Sequence, residues 1–446
     1  MNRKTFGRCL AGSGAPWLRT SVQAMLVLSL LLAHGQAAAQ DGTIKIGVVT
    51  FLSGPAAGTF GIPGRNGAEV LIDAINNGTL PAPYNAKGIA GKTIEAVFID
   101  EAGSTTKQVE EFRNLVQRQK VDAVVGYISS GSCLAVAPAA EELKMLTVFH
   151  ICGTPRIFED GKYKYVFRTS SHATMDNVGA AQYIAAKFPK VKTYGGINQN
   201  YAWGQDSWRD FHGSMPHVVP AAKLTTEQWP KLFAGQYSSE ISALLVSKSE
   251  VIHTSLWDGD LESFVFQSAA RGLNKNSKLV LTAGETTMFR LGAKMPDGVI
   301  IGARGPYGVM ARDSELNRWL QKTYSEKYVT PPVYPSYMMA QAILALKIAY
   351  DKAAPEAGGK LPTREQAITK LERLKFEAFG TEVNMALGDG HQAITETAYG
   401  TYKFDKAAGT PAIVNVVRFP AECVNPPEGI KSDDWVKGGF KGAKCK

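Results

Sequence analysis

The sequence predicts an α/β protein of two lobes, each a mainly parallel sheet flanked by helices. Short apolar runs of strand length alternate with stretches of helical spacing. The alternation runs through residues 44–169 and begins again after residue 172. The 446 residues also exceed one compact core, at ~100–200 residues per domain. With 45% apolar and 20% charged residues, the composition is ordinary for a globular chain. It excludes disordered, collagen-like and coiled-coil proteins.

The first strand is Ile44 to Phe51, a continuous apolar run of the kind found in parallel strands buried on both faces. A Gly/Pro-rich loop, Ser53 to Gly61, leads to helical spacing over 65–77, with Ala68, Leu71, Ile72 and Ile75 on one face. Thr93 to Asp100 is the second strand. Thr105 and Gln108 then have the spacing of a capping box before a helix carrying Val109, Phe112 and Val116. Ala123 to Ile128 and Leu146 to Ile151 are the third and fourth strands, with a helix over 134–143 between them.

The second block repeats the pattern. Its expected helices are 176–187, 205–214, 238–248 and 261–271, and its strands 193–197, 251–256 and 278–282. A longer insertion occupies 215–240. Two further helices, 314–328 and 336–352, follow, and the second is apolar on most sides and therefore deeply packed. The last ~45 residues are Gly/Pro-rich with one strand-like run, Ile413 to Phe419.

The first forty residues read as an export signal. Arg3, Lys4, Arg8 and Arg19 precede or flank the apolar run Ala24 to Ala33, which is too short to span a bilayer. Ala37-Ala38-Ala39 supplies the small residues of a cleavage site, placed after Ala39. A protein outside the cytoplasm is expected, in the periplasm. The formal charge of +9 owes four of its positive charges to this segment, so nucleic acid is not an expected partner. Cys133, Cys152, Cys423 and Cys445 remain after cleavage. An even count in an exported chain suggests two disulfides, with three pairings open. Nearest-neighbour pairing closes loops of about 20 residues, worth ~3 kcal/mol each in the chain-entropy model.

Catalytic and cofactor signatures are missing. There is no G-x-S-x-G, H-E-x-x-H or complete phosphate loop, and the histidines lack metal spacing. Binding is therefore favoured over catalysis, with no cofactor and no metal. In open α/β sheets a ligand sits outside the carboxyl ends of the strands. After the third strand, Ser129 to Ser132 open a helix and suit a carboxylate. Ile151, Gly153 and Thr154 follow the fourth strand. Trp203 and Trp257 are aromatics at strand ends of the second block, and Glu285 could pair with a ligand ammonium.

At these loops the chain resembles the periplasmic branched-chain amino acid-binding proteins, the type I (Leu/Ile/Val-binding-like) solute-binding proteins of ABC transporters. The resemblance rests on Ile44 to Val49 with Leu52-Ser53-Gly54-Pro55, Gly67-Ala68-Glu69, and Val125 to Ser130. It extends to the Thr154-Pro155 loop, Val166 to Thr169 and Ala270 to Leu273. It implies a two-lobed clamshell with three hinge crossovers, near 168–171, 303–306 and 395–399. Lobe 1 would be 44–169 with 305–396, and lobe 2 would be 172–303 with 398–446. It further implies that Ser130, Ile151 and Gly153, with Thr154 beside them, hold a ligand carboxylate. Glu285 would take the ammonium, and Phe60, Trp203 and Trp257 the side chain. The family usually has threonine at the position of Gly153 and often tyrosine at those of Trp203 and Trp257.

The expected function is capture of a small carboxylate, an amino acid of the branched-chain kind, by a monomer that delivers it to a membrane ABC permease. A rival is a periplasmic ligand-sensing protein for an amide or an aromatic acid. A third reading is a hydrolase built around Ser132, His150 and Asp258.

Overall fold

The computed structural model describes residues 42–445. The export signal and its cleavage after Ala39 lie outside the described residues. The strands in chain order are β1 (Thr43–Thr50), β2 (Thr93–Asp100), β3 (Ala123–Gly126), β4 (Thr147–Phe149) and β5 (Val166–Arg168). β6 (Thr193–Ile197), β7 (Lys223–Gln228), β8 (Val251–Thr254), β9 (Lys278–Leu281) and β10 (Ile300–Gly302) follow. The last are β11 (Lys375–Ala378), β12 (Thr381–Leu387), β13 (Gln392–Ile394), β14 (Thr397–Asp405) and β15 (Thr410–Phe419).

These strands make two sheets. One runs β11-β12-β13-β5-β4-β3-β1-β2 and the other β15-β14-β10-β9-β8-β6-β7. Within each, the first five strands in sequence pair in parallel in the same spatial order, second, first, third, fourth, fifth. β12 in the first sheet, and β14 and β15 in the second, bring antiparallel pairings. The chain passes between the sheets three times: after β5, after β10, and between β13 and β14. The fold is thus α/β and two-lobed, as its alternating pattern predicts.

Apolar continuity explains the central strands. Ile44, Ile46, Val48 and Val49 in β1, and Val124 and Val125 in β3, are fully buried. The helix Tyr334–Ala353 is buried along nearly its whole length. It packs against the helix Ile62–Asn77, whose Gly67 allows a close approach: a Cβ there would fall 2.4 Å from the Ser336 carbonyl oxygen. Lys347, inside this helix, is satisfied by the carbonyls of Ala86 and Gly88 and by Asp351.

Three local expectations need correction. The helix Thr105–Gln117 is capped by Ser104, whose hydroxyl accepts from Lys107 N at 3.2 Å. Gln108 instead donates to the Glu101 carbonyl, so Thr105 and Gln108 form no box. The 215–240 insertion contains β7, an edge strand whose polar, exposed sequence gives no apolar signal. The strand-like run at 413–419 is part of a longer hairpin of β14 and β15. Beyond it, helices Ala421–Val424 and Ser432–Lys437 pack on the helices Ala173–Lys187 and Ala202–Val218. The cysteines pair as Cys133–Cys152 and Cys423–Cys445.

Candidate functional site: the cleft between the sheets

A cavity lies where the carboxyl ends of both sheets face each other. Phe60 reaches it from the loop after β1, Ile128 and Ser130 from after β3, and Ile151 and Gly153 from after β4. Across the gap stand Tyr201 and Trp203 after β6, Trp257 after β8, Ala283 after β9 and Arg304 after β10. Tyr334 closes one end from the start of its helix. Ser130, Trp203 and Tyr334 sit in first turns of helices, and Trp257 is an N-cap. Several positive helix ends therefore converge on the cavity, a setting that favours an anion.

The Ser130 hydroxyl accepts from the backbone N–H of Gly153 and of Thr154, both at 3.2 Å. Its own hydrogen remains available to a ligand. Beneath this loop the buried Glu101 carboxyl accepts from Ile128 N (2.7 Å) and Ser129 N (2.9 Å). Burial raises its pKa to about 8 despite these bonds.

Arg304 is the one charged side chain among the residues lining the cavity. It is buried and pairs through Nε with Asp176 Oδ2 at 2.9 Å. Nη1 donates to the Ile151 carbonyl (2.5 Å) and Nη2 to that of Ser171 (3.2 Å). Its guanidinium stacks over the Trp203 ring, 4.4 Å from the centroid. Burial pushes its pKa down, but Asp176 more than offsets this, so the group stays charged. Two N–H hydrogens are left for a carboxylate.

The walls are aromatic. Phe60 lies edge-on to Trp257 (5.1 Å) and to Tyr334 (5.5 Å). Trp203 fixes its indole by donating Nε1 to the Ser255 carbonyl at 2.8 Å. That ring covers Gly153 so closely that a Cβ there would fall 2.3 Å from it. Glycine at 153 and tryptophan at 203, both departures from the resembled pattern, are therefore one coupled feature. Trp257 Nε1 and the Tyr334 hydroxyl are buried without a hydrogen-bond partner of good geometry.

The lobes are closed. Thr154 donates its hydroxyl to Asp206 Oδ2 at 2.6 Å, and Arg156 Nε and Nη2 donate to Asp206 Oδ1 at 2.9 and 2.7 Å. The free volume left inside is about 10 Å³, room for a single water.

The structure thus brings Ser130, Ile151, Gly153, Trp203, Trp257 and Phe60 to one wall or the other. Two residues expected beside them are used differently. Thr154 spends its hydroxyl on the clasp to Asp206 and does not line the cavity. Glu285 turns away: its Oε2 accepts from Tyr334 N at 2.9 Å and its Oε1, close to Gly308, has no partner. Burial raises its pKa to about 8, which favours the neutral acid. Ser132, His150 and Asp258 are not joined by hydrogen bonds, and burial lowers His150 to about 4. Arg304, Tyr334 and Asp206 are absent from the sequence-based set. An arginine after a strand carries no pattern of its own, and Tyr334 opens a helix rather than following a strand.

Two α/β lobes with an aromatic, cationic cavity between their strand ends are the architecture of a protein that binds a small molecule. The chain belongs to the periplasmic binding protein family, whose model matches residues 43–408. It is 24% identical over 391 residues to the Leu/Ile/Val-binding protein homolog 1 of Brucella abortus, covering 88% of this chain and 98% of that one. The solute-binding protein of an ABC transporter from Rhodopseudomonas palustris BisB5, solved with 3,4-dihydroxybenzoic acid, superposes with a TM-score of 0.73 at 20% identity. The match covers 85% of this chain and 98% of that one. A second R. palustris solute-binding protein, solved with benzoate, gives 0.73 at 18% identity over 87% and 100%.

Proposed function

We propose that this chain captures a small aromatic monocarboxylate in the interlobe cleft and hands it to an ABC permease. The observation that carries the reading is the pairing of a buried guanidinium, Arg304, with the Ser130 hydroxyl inside aromatic walls. The carboxylate would take the free N–H groups of Arg304 and the Ser130 proton. The ring would lie among Phe60, Trp203, Trp257 and Tyr334. No carboxylate lines the cavity, so an α-ammonium would be buried without a counter-charge. This moves the reading from a branched-chain amino acid to an aromatic acid. Two of the similar structures were solved with such acids.

Capture would open the lobes. Lobe 1 is taken as 44–169 with 305–396 and lobe 2 as 172–303 with 398–446, joined at the three crossovers. The bonds of Thr154 and Arg156 to Asp206 would break and re-form around the ligand, which stabilises closure by touching both sides. The protein would act as a periplasmic monomer after loss of residues 1–39.

The amino-acid reading keeps one support, the Leu/Ile/Val-binding relative. Calorimetric titration of ligand-stripped protein with benzoate, 4-hydroxybenzoate and leucine separates the two. Heat with the benzoates and none with leucine is expected; binding of leucine alone would overturn the proposal.

A further inference from the structure

A second cavity, of about 300 Å³, lies beside the crossovers rather than in the cleft. Pro155, Phe158 and Leu387 line it from the first-sheet half of the chain, and Pro427 and Ile430 from the C-terminal segment. That segment is pinned in place by polar bonds. Arg373 pairs with Glu428 at 2.9 Å, and Lys431 with Asp160 at 2.7 Å. Ser432 donates its backbone N–H (2.9 Å) and its hydroxyl (2.5 Å) to Glu159 Oε1.

Arg168 and His172 also line this cavity, together with charges of both signs, Lys162 and Lys431 and the carboxylates of Glu159, Asp389 and Glu428. Arg168 is fully buried. Its Nε donates to Gln392 Oε1 at 2.5 Å, and Nη1 to the carbonyls of Cys152 (2.6 Å) and Thr154 (2.8 Å). All three acceptors are neutral. Nη2 has no hydrogen-bond partner, and neither has Nδ1 of the buried His172. A buried cation without a bonded anion is costly. Burial, reinforced by the like charge of Arg304, lowers the Arg168 pKa to about 9, against the opposing pull of the more distant carboxylates of Glu159, Asp176 and Asp206, none of which is hydrogen-bonded to it.

We propose that this cavity is a second binding site, for a small monocarboxylate with an apolar body. The carboxylate takes Arg168 Nη2 and His172 Nδ1, and the body lies between Phe158 and the wall of Pro427 and Ile430. Arg168 ends β5 and Gln392 begins β13, so the site abuts the first and third crossovers. An occupant holds the C-terminal segment against the first-sheet half and stabilises that arrangement by its differential contacts.

The test uses ligand-stripped protein and 4-bromobenzoate, followed by equilibrium dialysis and by anomalous diffraction from co-crystals. A bromine peak beside Arg168 and a matching bound equivalent in solution are expected. Ile430→Trp fills the cavity from the C-terminal segment without touching Arg168; it should abolish this equivalent and leave cleft uptake unchanged. Arg168→Gln should also abolish this equivalent, but it frees the Cys152 and Thr154 carbonyls of the cleft loop as well, so the tryptophan variant decides the matter. Trp257→Ala should weaken the cleft alone. No bromine beside Arg168 at saturation, or solution uptake indifferent to Ile430→Trp, overturns the site. Bromine beside Arg168 with an empty cleft upholds this site and counts against the cleft assignment.

Discussion

Arg304 and Arg168 are both buried guanidiniums at crossovers, and they differ in what answers their charge. Arg304 has Asp176 at 2.9 Å and a tryptophan face against it. Arg168 has three neutral acceptors, the Phe158 ring 5.6 Å away and carboxylates only at longer range, and one of its nitrogens has no partner. A paired buried cation can serve as a stable scaffold that still offers N–H groups, whereas an unpaired one seeks an anion. The same residue type, delivered to the same zone by different crossovers, thus meets a different electrostatic setting in each cavity.

The sharpest way to break this contrast is to make Arg304 resemble Arg168. Asp176→Ala leaves a buried guanidinium without its carboxylate and should destabilise the protein by ~3–5 kcal/mol, read by denaturant unfolding. A loss near zero would mean that Arg304 does not depend on the pair.

Removing the charge from the cleft comes next. Arg304→Gln should weaken benzoate by ~1.5–3 kcal/mol, roughly 10- to 100-fold, in calorimetric titration. Unchanged affinity would place the carboxylate elsewhere.

A steric change tests the aromatic side of the cleft. Gly153→Thr drives a Cβ into the Trp203 ring and should cost ~1–3 kcal/mol of stability. Trp203→Tyr in the same chain should return part of that loss, as a double-mutant cycle would reveal. Strict additivity would refute the coupling of the two positions.

The smallest effect is a pH slope. Glu285 and Glu101 have folded pKa values raised from 4.5 to about 8. Between those limits the folded chain keeps protons that the unfolded chain has released. Stability should therefore fall as pH rises from about 4.5 to about 8. Glu285→Gln should flatten that slope in denaturation series while leaving benzoate affinity intact. An unchanged slope would mean that the carboxyl is already ionised in the fold.

Much of the fold was legible because buried parallel strands leave unmistakable apolar runs, as in Ile44 to Phe51 and Ala123 to Ile128. β7 was not, because an exposed edge strand needs no apolar side chains. Within the site, the loops after β3, β4, β6 and β8 could be found by position alone, which led to Ser130, Gly153, Trp203 and Trp257. Glu285 also follows a strand, yet its side chain turns to the Tyr334 amide, a choice made by a neighbour 49 residues along the chain. Thr154 is diverted in the same way, by Asp206 in the other half of the cleft.

The sequence by itself determined the alternation of strands and helices, the loops at the strand ends and the absence of catalytic signatures, because these are written in local periodicity and short motifs. Only the tertiary structure decided which polar groups face the cleft, which are consumed as clasps, and which arginine keeps a counter-ion. Those outcomes depend on distances between residues far apart in the chain, and no local pattern encodes them.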